Sequence, residues 1–309
     1  MLSFHSELRD KLDKLRSIGV KFDSSAQCFV VGRHKKRGLT KFLRQLVPVP
    51  RSARLSACVG SSAESTGVEA SFCGSAVLQR CGYCKSAVKA ARAATETALA
   101  QRLAKERNVD KAHGLVIDYQ IELLVRYGRR RLFELVSVVD PCVGTLIEQL
   151  DALQWSVVAT QVPIYQPSTD VATAIDLLAT DKRTRRQLHL IEIKASSAAR
   201  QSADNRSNYE RVRGRLSRSI LSGLPQSYYA QHQLQLLVME QTVVEQCDFR
   251  FDSACVLRLS PGMAVRYPLA EQFRQRANHI QTALAIKTGR RKRKQVDAAV
   301  GRHKRTRTK

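Results

Sequence analysis

Three charged residues lie in two apolar segments that have the character of neighbouring strands. Asp176 follows Thr173-Ala-Ile, and Glu192 and Lys194 flank an isoleucine in Leu190-Ile-Glu-Ile-Lys. Alternate side chains of a strand share a face, so Glu192 and Lys194 point the same way. If the two segments pair, Asp176 lies near the same end of the sheet. Two carboxylates that converge there would bind a hard divalent cation such as Mg²⁺ or Mn²⁺ through oxygen.

The ammonium group of Lys194 adds a third component to this pair of acids. It can orient or deprotonate an attacking water and offset the charge of a phosphate. Together these groups are what metal-assisted hydrolysis of a phosphodiester requires. The alternative is an exposed ion pair beside an aspartate that merely ends a strand, because short motifs of common residues also arise by chance.

The surrounding sequence predicts the elements that would position these groups. Segments with the composition and spacing of helices come first along the chain. β-rich segments, a further helix and two closing strands follow them. This order is typical of an α/β or α+β core. The predicted helices cover 1–25, 86–106, 114–127, 143–153, 226–241 and 270–286, and the predicted strands cover 155–165, 171–179, 188–194, 255–259 and 264–267.

The two central segments resemble a known family motif. Ile-Asp-Leu-Leu followed by Leu-Ile-Glu-Ile-Lys is similar to the core of the PD-(D/E)XK nuclease superfamily, particularly its RecB-like and phage-exonuclease-like branch, although Ile175 stands where the family name has proline. The resemblance covers about residues 110–270. It implies a restriction-endonuclease-like central mixed sheet flanked by helices. It also implies metal binding by Asp176, Glu192 and the Ile193 carbonyl, with Lys194 as a catalytic residue.

A downstream helix that carries glutamine is a further feature of this branch. Ser227-Tyr-Tyr-Ala-Gln-His-Gln-Leu-Gln resembles that helix. Gln231 and Gln235 are four residues apart and share one helical face, whereas Gln233 points elsewhere. The resemblance therefore gives two catalytic candidates, Gln231 and Gln235.

The branch also has an upstream helix in which a glycine precedes a histidine or acidic metal ligand. Gly114-Leu-Val-Ile-Asp118 fits this pattern, with Glu122 one turn later on the same face. Glu148, after Gly144, is a competing candidate. Asp118 is the predicted third metal ligand, and Glu122 and Glu148 remain alternatives.

Net charge points to a polyanionic partner. The 309 residues include 52 Lys and Arg against 27 Asp and Glu, which gives a formal charge of +25. Such an excess argues against a small neutral substrate and favours nucleic acid. No apolar stretch is long enough to span a bilayer, so we expect no membrane association. Eight cysteines at irregular spacing predict reduced thiols in an intracellular compartment.

The C-terminal tail concentrates this charge. Residues 287–309 contain eleven Lys and Arg and one acid, in a composition that predicts disorder. The tail is interpreted as a nuclear import signal, read by an import receptor, or as an arm that binds phosphates, so a nuclear protein is expected. Its first cluster gives the predicted nucleic-acid-binding residues Arg290, Arg291, Lys292, Arg293 and Lys294.

These observations divide the chain into three predicted parts. Residues 1–108 form a basic, helical and Ser/Ala/Gly-rich region with a linker near 52–76, residues 109–286 form the nuclease-like core, and residues 287–309 form the tail. The predicted function is a Mg²⁺-dependent, exonuclease-like deoxyribonuclease of recombination, repair or viral genome processing. The alternatives are a basic protein that packages DNA without cutting it, and an RNA-processing nuclease of the same fold.

Overall fold

The protein is described here from a computed structural model. The residues that the structure describes are 2–23, 28–47, 82–103, 109–184, 187–195, 209–215, 221–280 and 282. The predicted linker at 52–76 and the whole basic tail, with its cluster from Arg290 to Lys294, lie outside these residues.

Seven helices and eight strands make up the described part of the chain. The helices are α1 (Leu2–Ser17), α2 (Leu39–Leu46), α3 (Gly82–Leu103), α4 (Val109–Leu135), α5 (Pro141–Ala152), α6 (Tyr228–Cys247) and α7 (Glu271–Arg274). The strands are β1 (Val20–Asp23), β2 (Cys28–Val31), β3 (His34–Gly38), β4 (Trp155–Gln166), β5 (Val171–Asp181), β6 (Leu188–Ala195), β7 (Ser253–Ser260) and β8 (Met263–Pro268).

The chain divides into two compact units. The first comprises Met1–Val49 and Pro141–Lys309, and the second comprises Pro50–Asp140. The boundaries at 108/109 and 286/287, which the sequence predicts from changes in composition, stay predictions. The first unit joins two stretches that are far apart in sequence, because the N-terminal strands pair with a strand of the later segment.

A five-stranded mixed sheet forms the centre of the first unit, so the expectation of an α/β or α+β core is confirmed. Its order is β4-β5-β6-β7-β8. All neighbouring pairs are antiparallel except β6 and β7, which are parallel and are connected through α6. A parallel pair requires such a crossover, whereas the antiparallel strands follow one another through short turns.

The N-terminal meander, defined here as β1 to β3 (Val20–Gly38), extends this sheet. Its strands pair antiparallel with one another, and β3 then pairs parallel with β5 at Arg37–Val171 and Gly38–Ala172. The sequence predicted a helix over 1–25 instead. Helix α1 stops at Ser17 because Gly19 adopts the left-handed conformation (φ 69°), which ends a helix and turns the chain into β1.

Helices α1, α2 and α6 pack on one face of the sheet. Leu8, Leu12 and Leu15 of α1 follow helical spacing and enter the same apolar cluster as Leu190 of β6 and Leu234 of α6. The side chains of β6 alternate, so Glu192 and Lys194 point to the face of Leu190, while the buried Ile191 and Ile193 point away. The core therefore lies on the face that carries the candidate site.

The second unit is helical in its described part. Helices α3 and α4 pack together, and Arg92 Nε of α3 donates a hydrogen bond of 3.0 Å to the backbone oxygen of Glu134. Helix α4 kinks at Gly128, whose φ of 80° only glycine adopts readily. Both helices were predicted, with ends displaced by several residues.

No described helix combines the length and the apolar character that crossing a bilayer requires. The four cysteines that the structure describes in full, Cys28, Cys142, Cys247 and Cys255, are free thiols.

Candidate active site

Asp176 and Glu192 meet where two neighbouring strands separate. The β5–β6 ladder ends at the pair Leu177–Ile191, and the next residues on the two strands are Asp176 and Glu192. Beyond that pair, the Ile193 amide donates a hydrogen bond of 2.8 Å to Asp176 Oδ2. The aspartate side chain thus takes the place of a backbone partner and holds the two acids side by side.

Strand β4 contacts Asp176 from the edge of β5 that lies opposite β6. The Thr160 hydroxyl donates a hydrogen bond of 2.8 Å to the backbone oxygen of Asp176. The next residue, Gln161, has a left-handed backbone (φ 49°), and its side chain acts to lower the pKa of Asp176 against the larger effect of burial. Irregular strand residues of this kind often redirect side chains near functional sites.

Glu192 is almost completely removed from solvent, with an exposed fraction of 1%. Its Oε1 accepts hydrogen bonds from Gln235 Nε2 of α6, at 2.6 Å, and from Lys194 Nζ. Its buried Oε2 has no hydrogen-bond partner among the residues that the structure describes. A buried carboxylate oxygen without a partner is unfavourable, so it marks a position for a cation or a proton.

The pKa values of both acids are raised, and burial is the largest cause in each case. Burial, reinforced by the negative charge of Asp176, raises the pKa of Glu192 to about 8 despite the opposing ammonium of Lys194. Burial also raises the pKa of Asp176, against the effects of Lys194 and the Ile193 amide. Near neutral pH the pair therefore retains a proton, which an incoming cation would displace.

The donor set fits a hard divalent cation. It consists of two carboxylates on adjacent strands, one with a buried oxygen that has no hydrogen-bond partner within the described part of the chain, and Mg²⁺ and Mn²⁺ prefer such oxygen ligands. The backbone of Ile193, also a predicted ligand, lies between Glu192 and Lys194 and donates its amide to Asp176.

Further cationic and aromatic groups surround Lys194. Its neighbour in the parallel register is Arg258 of β7, so the two cations stand side by side on the sheet. The Arg258 guanidinium lies 4.4 Å from the centre of the Tyr209 ring. The Tyr209 hydroxyl lies 3.0 Å from Nδ1 of His232, a residue of α6. Burial, together with Lys194 and Arg258, holds the pKa of His232 well below its usual range, so this imidazole is neutral at pH 7.

The two glutamine candidates occupy different surroundings. Gln235 donates directly to Glu192, as described above. Gln231 donates its amide to the backbone oxygen of Val47, which follows α2. Gln233 binds the backbone of Pro268 and Ala270. The structure therefore brings Gln235 into the group of Asp176, Glu192 and Lys194, and it places Gln231 in a contact between two chain segments.

The upstream acids lie on two other helices. Asp118 and Glu122 belong to α4 of the second unit, where Glu122 forms an ion pair of 3.2 Å with Arg126. Glu148 is exposed on α5 of the first unit. The third metal ligand remains a prediction.

Sequence reasoning did not identify Thr160, Gln161, Tyr209, His232 or Arg258 as neighbours of the acids. Arg258 could not be found because a parallel strand pair leaves no local pattern to read. His232 did carry a signal, since it lies three residues before Gln235 on the helix that the sequence had singled out.

Comparisons with protein-family models and with curated proteins found no match.

Proposed function

We propose that this chain is a metal-dependent deoxyribonuclease with an exonuclease-like mode of action. The observation that carries the proposal is that Asp176 and Glu192 lie side by side at the end of the β5–β6 ladder. Lys194 donates a hydrogen bond to the same glutamate. Two acids and a lysine in this arrangement are the groups that phosphodiester hydrolysis requires.

The fold supports the same assignment. A mixed sheet flanked by helices is what the resemblance to the PD-(D/E)XK superfamily implies, and the first unit contains such a sheet. We propose that β4 to β7, with α5 and α6, correspond to its restriction-endonuclease-like core. The acids and the lysine occupy the two central strands, where the resemblance requires them.

Each residue would have a distinct task. Asp176 and Glu192 would hold Mg²⁺ or Mn²⁺, and the bound ion would activate a water molecule and stabilise the charge that develops on the phosphate. Lys194 would orient the water and offset the phosphate charge. Gln235 would keep the glutamate oriented through its bond to Oε1.

The charge of the whole chain supports DNA as the partner. A formal charge of +25 suits a polyanion, and Lys194, which contacts Glu192, has a second cation, Arg258, as its neighbour on β7. RNA is a less favoured substrate. We also propose that the basic tail directs the protein to the nucleus through an import receptor.

The test is digestion of end-labelled linear and circular DNA with Mg²⁺ or with EDTA, using the wild type and Lys194→Ala. We expect cutting that requires Mg²⁺, spares the circle and falls by about a hundredfold or more in Lys194→Ala, while DNA binding persists. Lys182→Ala is the matched control, because the Lys182 side chain, 37% exposed against 29% for Lys194, also pairs with an acid, Asp151.

Two results would contradict the proposal. DNA binding without cutting by the wild type, in Mg²⁺ and in Mn²⁺, would leave a basic packaging protein. Cutting of RNA but not of DNA would indicate an RNA-processing enzyme.

A further inference from the structure

We infer that Tyr228 and Arg213 form a platform that holds an unpaired nucleotide of single-stranded DNA beside the candidate active site. This inference rests on the proposed function, which makes DNA the partner, and it adds the place where a strand binds and the form in which it does so. Binding is measured without cutting, so that the platform and the nuclease proposal are tested separately.

The ring and the cation of this platform stand together. The Arg213 guanidinium lies 5.9 Å from the centre of the Tyr228 ring, which is within the range of a cation–π interaction. Tyr228 is 38% exposed, so a base can stack on its ring while the guanidinium contacts the adjoining phosphate. A duplex does not offer the face of a base in this way. The combination therefore favours an unpaired strand.

The segment that carries Arg213 is basic. Residues 211–215 have the sequence Arg-Val-Arg-Gly-Arg, with three arginines and no acid. Arg211 and Arg215 are exposed on either side of Arg213. Arginines at this density attract a phosphate backbone whatever its bases, whereas the ring of Tyr228 responds to the bases themselves.

Backbone hydrogen bonds hold this segment against the residues that lead into α6. The Arg213 amide donates a hydrogen bond of 3.1 Å to the Gln226 oxygen, and the Gln226 amide donates one of 2.7 Å to the Gly214 oxygen. Arg215 and Pro225 form the next antiparallel bridge. Because α6 begins at Tyr228, two residues after Gln226, these bonds keep the cation next to the ring.

Helix α6 connects the platform with the paired acids. Tyr228, His232 and Gln235 follow the spacing i, i+4 and i+7, so they lie on one face of the helix. Gln235 Nε2 donates a hydrogen bond of 2.6 Å to Glu192 Oε1. Seven helical residues span roughly 10 Å at 1.5 Å per residue. A nucleotide on Tyr228 would thus lie on the helix face that leads to Glu192.

The basic segment approaches the same helix face at its other end. It follows Tyr209, whose hydroxyl lies 3.0 Å from Nδ1 of His232. The Tyr209 ring lies 4.4 Å from the guanidinium of Arg258, the neighbour of Lys194 on β7. The segment therefore runs from the surroundings of the candidate site to Tyr228, with arginines along its length.

The experiment measures binding of the full-length protein in EDTA, so that no cutting occurs. The probes are labelled oligothymidine of about twelve nucleotides, an abasic strand of equal length and charge, and a closed duplex circle. Tyr228→Ala should weaken binding of oligothymidine about tenfold and change binding of the other two probes by less than about twofold. Tyr228→Trp should retain the affinity of the wild type. Unchanged affinity for the abasic strand also shows that Tyr228→Ala is folded.

Tyr127 provides a matched control in the second unit. Its ring is 49% exposed, and the Arg126 guanidinium lies 5.9 Å from its centre, so the same pair of groups occurs on α4. Tyr127→Ala should not alter the affinity for any probe. Arg213→Gln should weaken the oligothymidine and the abasic strand alike and reduce the salt slope by roughly 0.7. Arg126→Gln should change that slope less.

Equal affinities of Tyr228→Ala and the wild type for oligothymidine would overturn the inference and leave the nuclease proposal standing. An equal loss with all three probes would also overturn it, because stacking on unpaired bases would then play no part. An equal loss in Tyr127→Ala would overturn it as well, since any exposed ring would then have the same effect. A wild type that shows the expected binding pattern but never cuts DNA would refute the nuclease proposal and leave this inference standing.

Discussion

At the scale of single residues, the most unusual group is the carboxyl of Glu192. It is buried beside a second acid, yet it receives hydrogen bonds from Lys194 and Gln235, which favour its charged form. Burial and the neighbouring Asp176 act in the opposite direction and prevail, so the pKa of Glu192 rises to about 8. A site of this kind is less stable when its acids are ionised, and a bound cation would relieve the repulsion.

Glu192→Gln should raise the stability of the fold at pH 8 and lower the cutting of DNA. From about pH 4.5 to 8, folded wild type binds more protons than the unfolded chain, so its stability falls as the pH rises through this window. The amide does not ionise, so in EDTA at pH 8 the variant should be more stable than the wild type by roughly 4 kcal/mol, because each unit of difference between the folded and unfolded pKa is worth about 1.4 kcal/mol.

Urea unfolding of both proteins at pH 5 and pH 8 measures this difference, and a digestion assay with Mg²⁺ accompanies it. The variant should lose cutting by more than about a hundredfold. Parallel pH dependences of stability in the two proteins would show that Glu192 is not protonated in the fold.

At the scale of elements, α6 connects the site with the rest of the first unit. Its three neighbouring glutamines each hydrogen-bond to a different partner, namely the backbone after α2, the end of β8, and Glu192. These hydrogen bonds fix the position of α6, because a buried amide left without a partner would lower the stability of the fold.

Gln235→Ala and Gln231→Ala form a matched pair on this helix. Gln235→Ala should lower cutting by about ten- to a hundredfold, because it removes the group that orients a metal ligand. Gln231→Ala should lower the free energy of unfolding by about 1 kcal/mol and leave cutting nearly intact, since its partner is the Val47 backbone.

The measurements are kcat of DNA digestion and thermal unfolding of each variant. A larger loss of cutting in Gln231→Ala than in Gln235→Ala would reverse the assignment of the two glutamines.

The central strands could be predicted because the sequence signals that identify them lie within each strand and its flanking turns. Strands β4, β5 and β6 are β-rich segments bounded by turn residues, and Glu192 and Lys194 share a face by alternation alone. Strands β1 to β3 escaped prediction because each is only four or five residues long, because β3 is strongly basic, and because β3 meets β5 through pairs separated by more than a hundred residues. Arg258 and Tyr209 reach the site only through such distant contacts.

At the scale of the whole molecule, positive charge is spread over the chain rather than confined to one segment. The tail contributes eleven of the 52 Lys and Arg, and the meander contributes five. Nonspecific attraction to nucleic acid would therefore not depend on one region, while cutting would depend on particular residues.

The tail should determine where the protein resides in a cell. A fluorescent fusion of the full chain should accumulate in the nucleus, and replacement of Arg290 to Lys294 by serines should distribute it evenly, because import receptors recognise dense basic clusters. Replacement of Lys14 and Lys182 serves as the control. Microscopy that finds equal nuclear fractions for the wild-type fusion and the tail variant would contradict this expectation.

The parallel pairing of β6 with β7 has a consequence for how the site assembles during folding. The two acids lie on successive antiparallel strands and can approach early, since little chain separates them. Arg258 and Gln235 would join them later, because the crossover that brings α6 and β7 to β6 closes a much longer loop. A folding intermediate that contains β4, β5 and β6 would thus bring two acids together without Gln235 or Arg258, and mildly acidic conditions, which neutralise acids, would favour its formation.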